Sequence, residues 1–315
     1  MAVTRLMGVG SALVCALAAH AWEPGTPQPD KYVLPPASPA VVREACEAKA
    51  RLKTVSPCQF VAHRGESDIC PENTVPAFAA ALAAGFQIEF DVWMSNDGVL
   101  FVTHDAWLGC RKGHAAHGWA TNIVWHGALE KSDAGVWKAP CWRGTRMPTI
   151  DDVLPFARKG GRMIVHVCDS RWERVMPKVK EALARHPNAN AQTVWIQGST
   201  AWVSRNLPGY GCVAPFLPRK GWLVSDPPLD VKACAAALDP ASTPVWAPRW
   251  DEELITAEVV EKLHRRGVKT AVWTVNDAAS AWAALGRGVD LIYTDRPSAL
   301  LREMDEFNEK EEEKR

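Results

Sequence analysis

The chain has 315 residues, 47% of them hydrophobic, and its 36 lysines and arginines balance 36 aspartates and glutamates. This length allows one large core, and a single α/β barrel of about 250 residues would use most of it, which leaves no room for a second full domain. Because the net charge is zero, no overall field favours nucleic acid or an anionic membrane. We therefore expect a small-molecule substrate that is recognised by local contacts.

Residues 1–21 have the pattern of a secretory signal peptide. Arg5 gives a positive flank, residues 6–19 are mostly apolar, and Ala19-His20-Ala21 supplies small residues for cleavage after Ala21. The apolar run is too short for a membrane span, and no later stretch is long enough. The pattern predicts an exported protein, periplasmic or extracellular, without an integral membrane segment. Residues 22–40 are rich in proline and predict an extended arm.

Eight cysteines would remain after cleavage, and their scatter along the sequence does not resemble a structural zinc site. An even number of cysteines outside the cytoplasm permits disulfides. We expect two or three bridges with the other thiols free, and the spacing favours no particular pairing.

Strands and helices alternate from residue 40 onward. A helix is predicted over 40–53, and strands at 59–63, 87–92, 99–103, 163–168, 193–197, 212–217, 244–248, 269–275 and 290–293. Strands that alternate with helices predict a parallel sheet. Asn96-Asp97-Gly98 is a turn signal, so the second and third strands should form an antiparallel hairpin. Eight strands then remain for a (β/α)8 TIM barrel over residues 41–303.

Two segments fall outside this alternation. Residues 106–147 show little periodicity and predict a small insertion after the second strand, which we interpret as a cap beside the mouth of the barrel. Residues 304–315 end in an all-charged run and predict a solvated tail.

Residues suited to phosphate chemistry cluster between positions 63 and 105. Period-two geometry places Glu89 and Asp91 on one face of a strand, where carboxylates suit a hard divalent cation. Histidine as a residue type can both accept and donate a proton under neutral conditions, so His63 and His104 can serve as base and acid for one displacement. Arg64 offers a planar fork of donors that suits phosphate oxygens. The predicted hairpin would return His104 to the rim where His63, Glu89 and Asp91 end.

These residues resemble the glycerophosphodiester phosphodiesterase family in identity and order, and the resemblance covers roughly residues 59–303. It continues in Asp133-Ala134-Gly135, Trp137, the run from Met147 to Leu154, Val272-Trp273-Thr274-Val275-Asn276 and the run from Gly288 to Pro297. The resemblance implies a phospholipase C-like phosphodiesterase TIM barrel that requires calcium or magnesium. It also implies that His63 and His104 are the acid–base pair, and that Trp273 presents an aromatic face to the glycerol portion of the substrate.

Two residues leave the family's pattern. Where the family usually has a glutamate metal ligand and a phosphate-binding lysine, this chain has His166 and Cys168. By alternation both face the barrel interior, so we predict a cation bound by Glu89, Asp91 and His166. This softer set would accept zinc or manganese better than a calcium site normally does. Asp169 is a reserve ligand if the strand end curls inward.

Two further positions carry alternatives that the sequence leaves open. By resemblance, Glu72 is a metal ligand or a group that contacts one, whereas Asn73 or Thr74 next to it would cap a helix in the simpler interpretation. Trp273 contacts substrate or packs in the core.

The sequence thus predicts an enzyme that hydrolyses glycerophosphodiesters to sn-glycerol 3-phosphate and an alcohol, through a cyclic phosphate. One alternative is a phospholipase D-like enzyme that cleaves lipid headgroups and stops at the cyclic phosphate. The other is a barrel that binds phosphodiesters without turnover. The paired histidines speak against the latter, since a binding module needs no proton-transfer groups.

Overall fold

Eight parallel strands close into a barrel in the computed structural model, which describes residues 37–105, 124–159, 161–214, 238–250 and 253–307. In chain order the strands are β1 (Phe60–His63), β2 (Gln87–Met94), β3 (Leu100–Val102), β4 (Met163–Val167), β5 (Val194–Gln197), β6 (Gly211–Ala214), β7 (Val245–Trp246), β8 (Lys269–Val272) and β9 (Leu291–Thr294). β1 pairs in parallel with both β2 and β9, which closes the ring. The predicted (β/α)8 TIM barrel is confirmed.

The third strand lies outside the ring of eight. β3 runs antiparallel to β2, with Val102 opposite Val92 and Leu100 opposite Met94. Gly98 in the connecting turn has a φ of +90°, a conformation that glycine adopts without strain. The hairpin predicted from the turn signal is confirmed, and it directs the chain after Val102 back along β2.

Helices cover the outside of the barrel. They are α1 (Pro39–Leu52), α2 (Val75–Ala83), α3 (His126–Leu129), α4 (Ile150–Val153), α5 (Trp172–Arg185), α6 (Thr200–Asn206), α7 (Ala257–Arg265), α8 (Ala278–Gly286) and α9 (Pro297–Asp305). α1 begins with proline at its first position, and the Ser38 hydroxyl accepts the Val41 N–H at 3.3 Å. Arg51 donates to the Gly286 carbonyl at 2.6 Å, which fixes α1 against α8. The helix predicted over 40–53 is confirmed.

The barrel interior is apolar toward the N-terminal ends of the strands and polar toward their C-terminal ends. A buried inner layer is built from Val61 on β1, Ile164 on β4, Trp195 on β5 and Tyr293 on β9, among others. Because side chains alternate along a strand, the residues two positions later on the same sheet also point inward. These are His63, His166, Gln197 and Asp295. The sequence therefore brings its polar groups together at the C-terminal end of the strands, where barrels of this kind carry their active sites.

The described part of the insertion packs on the hairpin. Phe101 of β3, Val124, Leu129, Ala134 and Met147 form a small buried cluster separate from the main core. The amine of Lys138 donates to the Ser67 carbonyl at 2.7 Å, which joins the insertion to the loop after β1. Residues 106–123 of the predicted insertion lie outside the described residues. The described part of the insertion thus lies against the hairpin and the loop after β1.

The barrel extends beyond the predicted boundary at residue 303. Met304 and Phe307 are buried against the main core, and the Met304 carbonyl accepts the indole N–H of Trp282 at 3.0 Å. Leu300, Met304 and Phe307 recur at helical spacing and so lie on one face of the last helix. The prediction that the solvated tail begins at 304 is therefore wrong for these residues. Residues 308–315 lie outside the described part.

Two further expectations concern cysteines and membrane segments. The six described cysteines that follow the predicted signal peptide, Cys46, Cys58, Cys70, Cys141, Cys168 and Cys212, are all free thiols. With only two others left after residue 21, the expectation of two or three disulfides is wrong. Within the described residues, none of the helices combines the length and the apolar character needed to cross a membrane.

Candidate active site

The turn after β1 places an arginine beneath the mouth of the barrel. Arg64 has a φ of +62° and Gly65 a φ of +84°, both in the left-handed region. A Cβ on Gly65 would lie 2.7 Å from the backbone carbon of Ala77, so only glycine fits against α2. The backbone N–H of Arg64 donates to Glu89 Oε2 at 3.1 Å. The unusual turn therefore points a main-chain donor, as well as a guanidinium, at the carboxylates of β2.

Glu89 and Asp91 lie side by side at the end of β2, and both are fully buried. Arg64 compensates part of their charge, because its backbone N–H bonds to Glu89 and its Nε lies 3.2 Å from Asp91 Oδ2, while its Nη1 donates to Glu72 at 2.9 Å. Asn73 also binds Asp91, because its Nδ2 donates to Asp91 Oδ2 at 2.9 Å. Arg64 thus acts on both carboxylates, and the Asn73 amide bonds to Asp91.

The electrostatic consequences differ for the two carboxylates. Burial and the charge of Asp91 raise the pKa of Glu89 well above its usual value, and the nearby Arg64 offsets this only in part. Burial also opposes ionisation of Asp91, but Arg64 and His166 outweigh it and hold the pKa of Asp91 well below its usual value. The fold therefore keeps Asp91 ionised, whereas charge on Glu89 is costly until a further positive charge arrives.

His63 is held by a chain of hydrogen bonds that crosses from β1 to β9. Its Nδ1 lies 2.6 Å from Asp295 Oδ1, and Asn276 Nδ2 donates to Asp295 Oδ2 at 2.9 Å. Asn276 is itself fixed, since its Oδ1 accepts the hydroxyl of Thr294 at 2.9 Å. Burial of Asp295 is outweighed by His63 and Asn276, which lower its pKa to about 2. An ionised Asp295 therefore orients the ring and leaves Nε2 for proton exchange.

The hairpin brings the second histidine to the same rim. The Thr103 N–H donates to the Asp91 carbonyl at 3.0 Å, and the indole N–H of Trp93 donates to the His104 carbonyl at 3.0 Å. His104 Nδ1 lies 3.0 Å from Asp105 Oδ1, so this histidine also has a carboxylate partner. His104 is close enough to Asp91 to contribute to the lowering of the Asp91 pKa. The structure thus places His104 where the hairpin argument expected it.

β4 supplies two more donors to Asp91. His166 pairs directly with Asp91 in the sheet register, and its Nδ1 lies 2.9 Å from Asp91 Oδ1. The Cys168 thiol donates to the same oxygen at 3.2 Å and lies 3.5 Å from His166 Nδ1. Burial raises the pKa of the Cys168 thiol well above its usual value, so the thiol is neutral at pH 7. It is therefore a poor nucleophile in this state.

The residues present fit a divalent cation. Donor atoms of Asp91, His166 and Cys168 all lie within 4.8 Å of one another. Glu89 Oε1 is buried without a hydrogen-bond partner and lies 3.7 Å from His166 Nδ1. A buried carboxylate oxygen without a donor costs free energy unless a cation or another donor reaches it. Of the predicted ligands, Asp91 and His166 belong to this group together with Cys168, and Glu89 lies beside His166 but outside the group.

The two reserve ligands lie elsewhere. Glu72 accepts from Arg64 and is not in the group of close donor atoms. Asp169 points to the other side of β4, where both of its oxygens accept from the Arg171 side chain and Oδ2 accepts the Met94 N–H at 3.2 Å. The strand stays regular at this point, so Asp169 is a structural residue and the structure does not bring it to the cation site.

Contacts also bear on two local interpretations. Asn73 does not cap α2, because its side chain binds Asp91, and the Thr74 hydroxyl donates to the Pro71 carbonyl instead of capping. Trp273 is half-buried on the inner apolar layer, and its indole N–H donates to the Ala247 carbonyl at 2.8 Å. Core packing therefore accounts for one side of Trp273, at the end of β8 that forms the mouth.

Sequence reasoning gave no role to Asn276 or Asp295, gave Asn73 only a possible capping role, and did not count Cys168 as a ligand. A positional signal existed for two of them, because Asn276 and Asp295 follow β8 and β9 at the catalytic end of the barrel. Asn73 carries no such signal, since an Asn-Thr pair before a helix is typical of capping.

Comparison with known proteins agrees with this geometry. The sequence profile of the Glycerophosphoryl diester phosphodiesterase family matches residues 63–299, which include every predicted site residue. The chain belongs to this family. It is 28% identical to a glycerophosphodiester phosphodiesterase of Caldanaerobacter subterraneus subsp. tengcongensis, over 76% of this chain and 95% of that protein. It is 29% identical to an uncharacterized protein of Bacillus subtilis, over 78% and 98% of the two chains.

Solved structures of the glycerophosphoryl diester phosphodiesterase family share the fold. A phosphodiesterase from Oleispira antarctica, solved in complex with the product sn-glycerol-3-phosphate, has a TM-score of 0.64 and 20% identity, and the match covers 78% of this chain and 96% of that one. The predicted family and the predicted enzyme class, a phosphoric diester hydrolase, are confirmed by the profile and the named relatives.

Proposed function

We propose that this member of the family hydrolyses glycerophosphodiesters to sn-glycerol 3-phosphate and an alcohol by acid–base catalysis between His63 and His104. The observation that carries the proposal is the arrangement of two histidines, each with its own carboxylate, around one buried carboxylate pair and one arginine. His63 has Asp295 and His104 has Asp105. Displacement at a phosphodiester needs one group to remove a proton and another to supply one, and this site has both.

The hydrogen bonds of His63 suit a proton-transfer role. Asp295 occupies Nδ1 and stabilises the imidazolium that forms when Nε2 takes a proton. By the family's route, the substrate's own glycerol hydroxyl attacks the phosphorus and gives a cyclic phosphate, which water then opens. A histidine that accepts the hydroxyl proton in the first step can return it in the second, while the other histidine acts in the opposite sense.

Arg64 would stabilise charge at the phosphoryl group. Its Nη1 is bound to Glu72 and its Nε faces Asp91, which leaves Nη2 to contact a phosphate oxygen. Burial lowers the pKa of Arg64, but the surrounding carboxylates outweigh it and raise the pKa above its usual value, so the guanidinium stays charged at any working pH. The exposed face of Trp273 would pack on the glycerol carbons.

A divalent cation belongs to this proposal, and Glu89, Asp91 and His166 would hold it. When bound, it would neutralise charge on the phosphoryl oxygens and lower the pKa of the attacking hydroxyl. The unpartnered Glu89 Oε1 and the raised pKa of Glu89 support the choice, since both are relieved by a positive charge at this position.

The test is hydrolysis of glycerophosphocholine by the chelated protein to which calcium, magnesium, manganese or zinc is returned singly. We expect activity with at least one cation, and a fall of about 10²- to 10⁴-fold in kcat for His63→Asn and for His104→Asn. His264→Asn is the matched control, because His264 also bonds an aspartate, Asp290 at 2.8 Å, but on the surface. A folded protein that is inactive with every cation, or active histidine variants, would overturn the proposal.

The product separates the alternatives. Free sn-glycerol 3-phosphate is expected, whereas accumulation of a cyclic phosphate from lipid substrates would identify the phospholipase D-like enzyme instead. Binding of glycerophosphocholine without turnover would identify the non-catalytic barrel.

We also propose that the protein is exported, to the periplasm or the extracellular space, on the basis of the leader pattern in residues 1–21. Those residues lie outside the described part of the structure. Mass spectrometry of the protein from its own cells should find Trp22 as the first residue. An intact N-terminus on the intracellular protein would refute the proposal.

A further inference from the structure

The donor set beside Asp91 contains sulfur and nitrogen as well as oxygen. Asp91 Oδ1, His166 Nδ1 and Cys168 Sγ form a triangle with sides of 2.9, 3.2 and 3.5 Å. Around a tetrahedral zinc ion with the usual bond lengths, such donors would be about 3.4 to 3.6 Å apart. The triangle therefore needs to expand by only about half an ångström or less to accept this ion.

The strand frame holds these donors in place. Asp91 and His166 are direct neighbours in the β2–β4 register, and the Cys168 N–H donates to the Val92 carbonyl at 3.2 Å, which extends the ladder by one residue. His166 and Cys168 are two residues apart and so share a face of β4. Three of the donors are thus fixed by two paired strands rather than by a loop.

A second observation points to a cation at the same place. Glu89 is 1% exposed, and its Oε1 has no hydrogen-bond partner although it lies 3.7 Å from His166 Nδ1. Hydrogen bonds within the triangle do not satisfy this oxygen. A cation that bound the triangle would lie within reach of Glu89 Oε1 and would supply the missing positive charge.

We infer that Cys168 is a metal ligand and that Asp91, His166 and Cys168 bind a thiophilic divalent cation, Zn²⁺, in preference to Ca²⁺ or Mg²⁺. Thiolate and imidazole favour zinc, whereas calcium and magnesium require a shell of oxygens. Binding replaces the thiol proton of Cys168 with the S–Zn bond and releases that proton to solvent. The inference rests on the proposed function only in that it places the cation at the same site.

The experiment uses Co²⁺ as a spectroscopic probe for zinc, added to the chelated full-length protein. A cobalt–thiolate bond gives a charge-transfer band in the near ultraviolet that oxygen and nitrogen ligands do not give. We expect this band in the wild type and its loss in Cys168→Ser, with a fall in Zn²⁺ affinity of about tenfold or more in that variant. Ca²⁺ in excess should not displace the probe.

Cys212→Ser is the matched control, since Cys212 is also a free cysteine, lies buried on β6, and its thiol bonds to Thr200, Gly198 and Val213. It should retain the band and the zinc affinity. Cys168→Ala serves as a second variant if the serine variant does not fold. A band that survives in the Cys168 variant, no band in the wild type, or displacement of the probe by equimolar Ca²⁺ would each overturn the inference.

The same samples keep this inference distinct from the proposed function. Zinc bound through Cys168 in a protein that hydrolyses no glycerophosphodiester would sink the proposed function and leave the site standing. Hydrolysis with calcium that is unaffected by Cys168→Ser would sink the inference and leave the function standing.

Discussion

Replacing Asp295 by asparagine tests the hydrogen-bond chain behind His63. Asp295 offers two acceptor oxygens to two donors, His63 Nδ1–H and Asn276 Nδ2–H. An asparagine in its place has one acceptor oxygen and one NH₂ group. One of the two donors must then lose its partner, or His63 must change tautomer and present Nε2–H to the substrate. Either outcome impairs the role proposed for His63, which is to accept a proton at Nε2.

The size of the effect follows from the bond that is lost. A hydrogen bond to a charged group contributes about 1.5 to 3 kcal/mol, which corresponds to a fall of about 10- to 10²-fold in kcat. Stability should change less. The depression of the Asp295 pKa from 3.8 to about 2 corresponds to roughly 2 kcal/mol, but the side chain is 40% exposed, and screening by solvent reduces this to about 1 kcal/mol.

The measurement is the pH profile of kcat with glycerophosphocholine, together with urea unfolding. Asp295→Asn should lower kcat across the pH profile, because the carboxylate no longer stabilises the imidazolium. Asp290→Asn is the control, since Asp290 also accepts from a histidine, His264, away from the mouth. A kcat within twofold of wild type and an unchanged profile would refute the role given to Asp295.

Three more predictions follow from particular contacts. Gly65→Ala should lower the free energy of unfolding in urea by about 2 to 4 kcal/mol, because its Cβ would meet Ala77 at 2.7 Å. Gly209→Ala, with a similar φ of +89° but open space around the new Cβ, should lower it by about 1 kcal/mol. Equal losses of stability would contradict the packing argument. Glu89→Gln should stabilise the chelated protein by about 1 kcal/mol and so raise its melting temperature, because the raised pKa of Glu89 means that its charge destabilises the cation-free fold. The same variant should abolish stabilisation by added cation. A lower melting temperature in chelator would contradict this prediction. The stability from Asp295 is present above pH 3.8 and should be lost as the pH falls toward 2, so acid unfolding of Asp295→Asn should be less steep there than that of wild type.

The fold and half of the site could be predicted from the sequence because the patterns that indicate them are local. Alternation within β2 put Glu89 and Asp91 on one face, and the turn at Asn96-Asp97-Gly98 placed His104 over the end of that strand. Both arguments use residues fewer than twenty positions apart. They require no knowledge of which distant strands become neighbours.

The remaining contacts depend on closure of the ring. His63 and Asp295 are 232 positions apart and meet only because β1 and β9 pair. Asn73 has a φ of +55°, which turns a residue typical of a helix cap toward Asp91 instead. To exclude Asp169 as a ligand, one would have had to know that Arg171 holds it on the outer side of β4. The sequence pattern alone does not predict these contacts, because tertiary packing determines each of them.

The charges of the site show what the absence of a lysine at the position of Cys168 costs this chain. Four carboxylates act on Arg64: Glu72, Asp91, Glu89 and Asp295. Even without charge on Glu89, whose pKa is raised, one guanidinium cannot neutralise the other three, so a phosphodiester anion that entered the cation-free site would meet net negative charge. A lysine on β4 would have offset part of it, and Cys168 adds none while its thiol is protonated. We expect the proposed divalent cation to supply the missing positive charge and to bind before the phosphodiester does. Ionisation of Cys168 on zinc binding would then be compensated by the ion itself, which leaves Arg64 as the donor that the substrate phosphate meets.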